Sequence, residues 1–113
     1  MKKLAVFVAL LGLGAFPALA TAATFKDVPV VDVKCSTKAA ANPDAHTRKC
    51  ALGCEKSGFG ILTNDKKFLK FDAAGNEEIV KELQASQQKD HLRVNVTGDV
   101  DGNTLKVSSI KLL

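Results

Sequence analysis

Three cysteines and one histidine lie close together in the chain and are the side chains best suited to chemistry. They are Cys35, His46, Cys50 and Cys54. Thiolate sulfur and imidazole nitrogen are donors that zinc and copper(I) accept in proteins. The segment therefore predicts a site for a thiophilic metal, with these four residues as its candidate ligands.

The spacing of these residues limits which of them could act together. His46, Cys50 and Cys54 are four positions apart, so on a helix they would form one stripe, as simple amphipathicity would also produce. On such a helix His46 and Cys54 would be about 12 Å apart along the axis, whereas metal–ligand bonds are about 2.0–2.3 Å long. One metal would therefore need an adjacent pair from the stripe, and Cys35 is the obvious further ligand.

The same cysteines could instead form a disulfide. Cys50 and Cys54 would point in nearly parallel directions from one helix, which suits a bond between them poorly. A bond from Cys35 to Cys50 or to Cys54 would join a strand to the helix and stabilise the fold by about 3 kcal/mol in the loop-entropy model. One cysteine is then left over, which is unusual for a purely structural set. A thiol redox role is a third alternative, although the spacing is not the C-x-x-C of thioredoxin-type sites.

The first part of the chain has the three-part plan of a secretory signal peptide. A lysine pair at residues 2–3 precedes an apolar run from Leu4 to Phe16, and Pro17 ends that run. Small residues then predict cleavage before Thr21 or before Ala23. The run is short for a membrane-spanning helix, so no stable membrane anchor is expected after cleavage.

This leader sets the domain organisation and the location. Residues 1–22 are the predicted signal peptide and residues 23–113 a single domain, either periplasmic or secreted, where disulfides are favoured. Removing the two leader lysines lowers the formal net charge from +4 to +2. The mature chain keeps four of the six Phe and has no Trp or Tyr. Little charge and few aromatic side chains exclude nucleic acid as an expected partner, because single strands need a basic groove with stacking rings.

Alternating and helical patterns place the candidate residues on elements. Residues 23–26 are expected to be a loose terminus, and alternation predicts a strand over Asp27–Cys35. A small-residue loop follows at 36–41. Asn42 and Pro43 then predict the start of a helix that runs to about Lys56.

The second half of the mature chain reads as a hairpin, a helix and two more strands. The predicted segments are a hairpin of Ile61–Thr63 and Lys67–Phe71, a helix capped by Asn76, a strand over Leu92–Thr97, and a returning strand over Thr104–Leu112 with a bulge near Ser108-Ser109. The fold class is therefore α+β and mainly β. Five strands, with one helix between strands 1 and 2 and another between strands 3 and 4, predict a small OB-like barrel; the alternative is another α+β sheet with both helices on one face.

The chain also resembles a group of small exported bacterial proteins. In that group a Val-rich strand ends in Cys and is followed by His, Cys-Ala and Cys, which here are Val33-Lys34-Cys35, His46, Cys50-Ala51 and Cys54. The glycine-containing stretch 58–60, the strand 61–63, and the endings Val94–Gly98 and Leu105–Val107 are similar as well. The resemblance covers most of the mature chain and implies an OB-like exported domain, without implying an activity.

The expected function is that of an exported binding module and not of an enzyme. The sequence has no glycine-rich phosphate loop and no serine nucleophile elbow. The expected partner is a metal ion, copper or zinc, or else an unidentified protein. In the second case the domain would be a structural or interaction module that a disulfide stabilises.

Overall fold

Residues 21–113 fold into a closed β-barrel. A computed structural model describes residues 21–113, so the predicted leader lies outside the described residues except for its last two positions. Within this range five strands follow the order β1-β2-β3-β5-β4 around the barrel. They are β1 (Thr21–Asp32), β2 (Phe59–Leu62), β3 (Phe68–Phe71), β4 (Arg93–Asp101) and β5 (Thr104–Leu112). The expected mainly-β, five-stranded α+β barrel is confirmed.

Three helices and three 3₁₀ turns connect these strands. The helices are α1 (Ser36–Ala39), α2 (Arg48–Gly53) and α3 (Ala73–Ala85). The 3₁₀ turns are Val33–Cys35, Pro43–Ala45 and Glu55–Ser57. All of the short elements lie in the connection between β1 and β2, which is where the candidate ligands are.

Strand β1 is held on both edges. It pairs antiparallel with β2, where Val30 lies opposite Ile61, and with β4, where Thr24 lies opposite Thr97. Residues 23–26, expected to be loose, are therefore part of the strand, because β4 is long enough to pair with them. A register shift between Phe25 and Val28 bends the strand along the barrel.

The end of β1 differs from the sequence prediction. The strand stops at Asp32 and does not continue to Cys35. The Asp32 carboxylate accepts a hydrogen bond from the Cys35 backbone N–H at 3.0 Å. This is the local bond by which Asp side chains turn the chain, and it folds Val33–Cys35 into a 3₁₀ turn.

The predicted continuous helix from Pro43 to about Lys56 is wrong. Pro43–Ala45 forms only a 3₁₀ turn, and Asn42 makes no side-chain cap to it. His46 is extended, with φ −72° and ψ 125°. The Thr47 hydroxyl then accepts the Cys50 N–H at 3.1 Å and starts α2 as a new helix. His46 therefore lies outside the helix that carries Cys50.

Helix α3 begins earlier than the sequence indicated. Asp72 caps it by accepting the Gly75 N–H at 3.0 Å. Asn76, the predicted cap, lies one turn inside the helix and accepts the Phe59 N–H at 2.8 Å, which ties α3 to β2. The buried side chains of Ile79 and Leu83 join α3 to the barrel core.

The second half of the sheet follows the prediction closely. The hairpin β2–β3 forms, and β5 spans the predicted Thr104–Leu112. Thr97 pairs with Ser109 while Gly98 pairs with Val107, so Ser108 is an extra residue in β5. The bulge predicted near Ser108-Ser109 is confirmed.

The barrel interior is apolar and contains one charged exception. Its largest fully buried hydrophobic side chains are Phe59, Ile61, Ile79, Leu83, Leu92, Leu105, Val30, Val31, Val94 and Val96. Asp32 is equally buried, with no exposed surface. A buried carboxylate needs partners to offset its desolvation, and these partners define the candidate site.

Candidate metal centre

The candidate centre is built where β1 ends and the chain turns away from the barrel. Asp32 is the last residue of the strand, and Cys35 ends the 3₁₀ turn that follows it. Two further bonds hold this turn: Val33 N–H donates to the Gly58 carbonyl at 2.8 Å, and Ser36 Oγ donates to the Val33 carbonyl at 2.9 Å. The turn fixes the separation between the carboxylate and the thiol.

His46 reaches the same point from the other side of the connection. Its backbone N–H donates to the Pro43 carbonyl at 3.1 Å. Its Nε2 lies 2.6 Å from Oδ1 of Asp32, and only 9% of the imidazole side chain is exposed. Asp32 therefore binds the turn through one oxygen and the imidazole through the other.

Asp32, Cys35 and His46 together form a three-residue cluster. One potential ligand atom from each residue, a carboxylate oxygen, the thiol sulfur and a ring nitrogen, lies within 4.8 Å of the other two. Among the described residues no buried side-chain nitrogen or oxygen lacks a hydrogen-bond partner. The cluster thus combines O, S and N donors in one partly buried place, which is chemistry suited to a metal ion.

A cavity of about 360 Å³ opens beside the cluster. Cys35, His46 and Cys50 contribute to its wall, together with Lys38, Ala39, Ala41, Asn42 and Ala45. Cys50 itself is exposed. The cavity gives the cluster a route to solvent and places Cys50 at its rim.

Cys54 lies outside the cavity that Cys35, His46 and Cys50 line. It does not belong to the three-residue cluster and lines a different cavity with Lys34 and Ser57. Burial of the Cys35 thiol, with the charge and hydrogen bonding of Asp32 and then the proximity of Cys54, raises the pKa of Cys35 above its usual value. Cys35 therefore has both Asp32 and Cys54 as near neighbours, and all three cysteines are free thiols.

The structure thus groups the four predicted ligands unevenly. Cys35 and His46 are together in the cluster. Cys50 is at the rim of the cavity, and Cys54 is a neighbour of Cys35 that lies outside the cluster. His91, an unrelated histidine, is exposed and interacts with Asp90 at 2.9 Å. The helical stripe that motivated the prediction does not form, because His46 precedes the helix.

Asp32 is the member of the cluster that the sequence did not reveal. Alternation placed it on the polar face of a strand, away from Val31. The signal that could have found it is the Asp-Val-Lys-Cys stretch itself, since an Asp three residues before a residue whose N–H needs an acceptor is a common turn or cap pattern.

An ion pair outside the cluster fixes the approach of His46. Arg93 on β4 donates from Nε to Oδ1 of Asp44 at 2.9 Å and from Nη2 to Oδ2 at 3.1 Å. Its Nη1 also donates to the Asp27 carbonyl at 2.7 Å. The hydrogen bond to Arg93 lowers the pKa of Asp44. This two-point contact attaches the turn just before His46 to the barrel wall.

Comparison with known proteins adds no relative to this picture. No protein-family model matches the chain, and searches of curated proteins and of solved structures found no match either. Within residues 21–113, no helix is long and apolar enough to cross a membrane.

Proposed function

We propose that this protein is an exported binding module that holds a thiophilic metal ion through Asp32, Cys35 and His46. The observation that carries the proposal is the convergence of three different donor atoms within 4.8 Å. Zinc accepts carboxylate, imidazole and thiolate donors together. Copper(I) favours thiolate and thioether sulfur, so the carboxylate makes zinc the better candidate and copper the second.

The local geometry indicates how a metal would enter. Nε2 of His46 and Oδ1 of Asp32 are 2.6 Å apart, a hydrogen-bond distance. Two ligands on one tetrahedral zinc are about 3.3 Å apart, given bonds of roughly 2.0 Å. Binding would therefore replace this hydrogen bond and separate the two groups by under about 1 Å. The fourth position faces the cavity, where water or an external ligand could occupy it.

The scaffold is proposed to be an OB-like barrel. Three features support this: the strand order, the pairing of β1 with both β2 and β4, and the long α3 between β3 and β4. In this scaffold the connection between β1 and β2 is an insertion that carries the whole candidate centre. The barrel then serves as the support and the insertion as the binding element.

Export is the second part of the proposal. It is supported by residues 1–22, whose charged start, apolar run and small-residue exits fit a signal peptide. Expression of the full chain in a bacterial host should give a periplasmic or secreted form that begins at Thr21 or Ala23 by intact mass. Retention of the full mass in the cytoplasm would contradict this part.

A zinc titration of the reduced mature protein tests the metal site. A competing chromophoric chelator should report about one equivalent bound by the wild type, and His46→Ala and Cys35→Ser should each lose that binding. His91→Ala is the matched control, because His91 is exposed and outside the cluster, and it should bind as the wild type does. Unchanged affinity in His46→Ala would refute the site.

The alternative function is a structural or protein-interaction domain that a disulfide stabilises. The Ser57 hydroxyl, which links the Cys54 carbonyl to the Lys34 N–H, favours a bond from Cys35 to Cys54 over one to Cys50. Thiol counting and metal analysis on protein purified from the periplasm without chelator separate the two functions. Three thiols with near-stoichiometric metal support binding, whereas one thiol and no metal support the disulfide domain. A thiol redox protein, the minor alternative, would instead catalyse disulfide exchange in a small test substrate.

A further inference from the structure

Cys35 lies between two groups that could use its sulfur, the Asp32–His46 pair and Cys54. On one side it belongs to the cluster with Asp32 and His46. On the other, Ser57 links the half-buried Cys54 to Lys34, the residue before Cys35, and Cys54 is near enough to help raise the pKa of the Cys35 thiol. The same sulfur atom could therefore serve as a metal ligand or as half of a disulfide, but not as both at once.

The backbone around Cys54 is already tied to the turn that carries Cys35. Ser57 Oγ donates to the Cys54 carbonyl at 2.8 Å, and the same hydroxyl accepts the Lys34 N–H at 3.1 Å. Lys34 directly precedes Cys35, so one serine side chain holds the end of α2 beside the turn. The approach of the two cysteines is thus part of the folded structure.

Cys54 is placed as a competitor and not as a fourth ligand. Its sulfur is not among the atoms that lie within 4.8 Å of one another. It faces the cavity lined by Lys34 and Ser57, whereas the cluster faces the cavity lined by His46 and Cys50. Cys54 therefore lies outside the cavity that the cluster lines.

We propose that the Cys35–Cys54 pair is a redox switch on the metal centre, in which disulfide formation releases the metal. This inference rests on the proposed metal-binding function. It assigns Cys50 no part in the switch, because Cys50 is exposed at the rim of the cluster's cavity, whereas Ser57 ties Cys54 to the turn that carries Cys35. Of the three cysteines, Cys35 and Cys54 then form the switch and Cys50 takes no part in it.

A small-molecule disulfide, RSSR, is the oxidant that converts the two thiols into a disulfide. The Cys54 thiolate attacks RSSR, an S–S bond forms between Cys54 and one R–S group, and the other leaves as a thiolate. The Cys35 sulfur then attacks the Cys54 sulfur of that mixed disulfide and displaces the second R–S group. Two thiols are oxidised, one RSSR is reduced to two RSH, and the metal leaves because the Cys35 sulfur no longer carries a negative charge.

Reduced, zinc-loaded mature protein treated with oxidised glutathione tests the switch. A zinc indicator should report release of about one equivalent from the wild type, and peptide mass mapping should find the bond between Cys35 and Cys54. Cys54→Ser should bind zinc when reduced and release it at least about tenfold more slowly. Cys50→Ser is the matched control and should release zinc at the wild-type rate; Cys54→Ala provides a second replacement if the serine variant folds poorly.

The outcomes distinguish failure of the switch from failure of the metal binding on which it depends. If the reduced wild type binds no zinc, the proposed metal site fails and the switch fails with it. If zinc binds but Cys54→Ser releases it as fast as the wild type, or if the bond maps to Cys50, only the switch is refuted. If reduced Cys54→Ser or Cys54→Ala, shown to be folded by circular dichroism, no longer binds zinc, Cys54 is a ligand and the competitive arrangement is wrong.

Discussion

Asp32 is a carboxylate with no exposed surface, and both of its oxygens are in use. One accepts the Cys35 N–H at 3.0 Å and the other contacts Nε2 of His46 at 2.6 Å. Removing such a group leaves buried donors without an acceptor, which costs more than the bonds themselves contribute. Asp32 therefore stabilises the connection between β1 and β2 even before any metal is considered.

Replacing Asp32 should separate its structural role from its charge. We expect Asp32→Ala to lower the free energy of unfolding by roughly 2–4 kcal/mol, since two buried partners lose their acceptor. Asp32→Asn should cost less, because its amide oxygen can still accept the Cys35 N–H. Urea denaturation in the presence of a chelator measures both. Asp90→Asn, at an exposed acid beside His91, is the control and should be neutral.

For single residues, the sequence indicated the chemistry of the site more readily than the set of residues that form it. Cys35 and His46 stand out by type, because few other side chains bind soft metals. Asp32 does not, since an acidic residue in an alternating strand normally faces water. This carboxylate is instead enclosed by the turn that follows the strand and by His46, which both bond to it.

At the scale of elements, the contact between β4 and the Pro43–Ala45 turn positions His46. Arg93 reaches Asp44 through two nitrogens, at 2.9 Å and 3.1 Å. A planar guanidinium can bind a carboxylate at two points, whereas an ammonium group cannot. Arg93 is thus a positioning residue, because it acts on His46 through Asp44 and touches no ligand atom of the cluster.

Loss of this contact should weaken metal binding without removing a ligand. We expect Arg93→Lys and Asp44→Asn each to weaken zinc affinity by about tenfold, the lower end of the effect of residues that orient metal ligands. The stoichiometry should stay at one. Competition titration measures the affinity, and Lys106→Ala, at an exposed ion pair with Asp101, should leave it unchanged. Wild-type affinity in both variants would show that His46 needs no such support.

Helix α3 approaches the sheet so closely at Gly75 that a methyl group does not fit. A Cβ atom there would lie 2.5 Å from Cγ2 of Val107 and 3.0 Å from Cβ of Phe71. Gly75→Ala should therefore destabilise the fold by about 1–3 kcal/mol despite the better helix propensity of Ala. At Gly53 a Cβ would meet nothing within 4 Å. Thermal unfolding should show Gly53→Ala neutral or slightly stabilised, and equal effects at the two positions would contradict the close packing.

Elements were predictable where local signals agreed with the tertiary structure. The hairpin β2–β3, strand β5 and its bulge follow from alternation and turn residues alone. The helix expected from Pro43 to Lys56 fails because Thr47 caps a new helix, a competing local signal within the same segment. The early start of β1 depends on its pairing with β4, about 70 residues away, which no local pattern contains.

For the whole molecule, a bound metal would add a further link between the barrel and the connection between β1 and β2. Asp32 belongs to the barrel, whereas His46 belongs to the connection between β1 and β2. A ligand that binds only the folded state stabilises it, by about 2.7 kcal/mol at a free concentration of 100 times Kd. Because the domain is small and its core is modest, metal binding should raise its free energy of unfolding measurably.

Thermal unfolding with zinc and with a chelator should show that gain. We expect the wild type to melt at a higher temperature in zinc than in chelator, by several degrees. His46→Ala should melt at the same temperature in both, whereas His91→Ala should keep the wild-type difference. An equal zinc effect in His46→Ala would indicate binding elsewhere on the protein.

The barrel closes through a short parallel seam between β3 and β5. Only two residue pairs join these strands, Lys70 with Thr104 and Phe71 with Leu105, whereas eight pairs join β4 and β5. The barrel should open first at this seam, so its amide protons should exchange with solvent sooner than those along β1. Because Asp32 pairs with Phe59 of β2 and the preceding part of β1 pairs with β4, opening of the seam should leave Asp32 in place, and the candidate centre should keep its geometry.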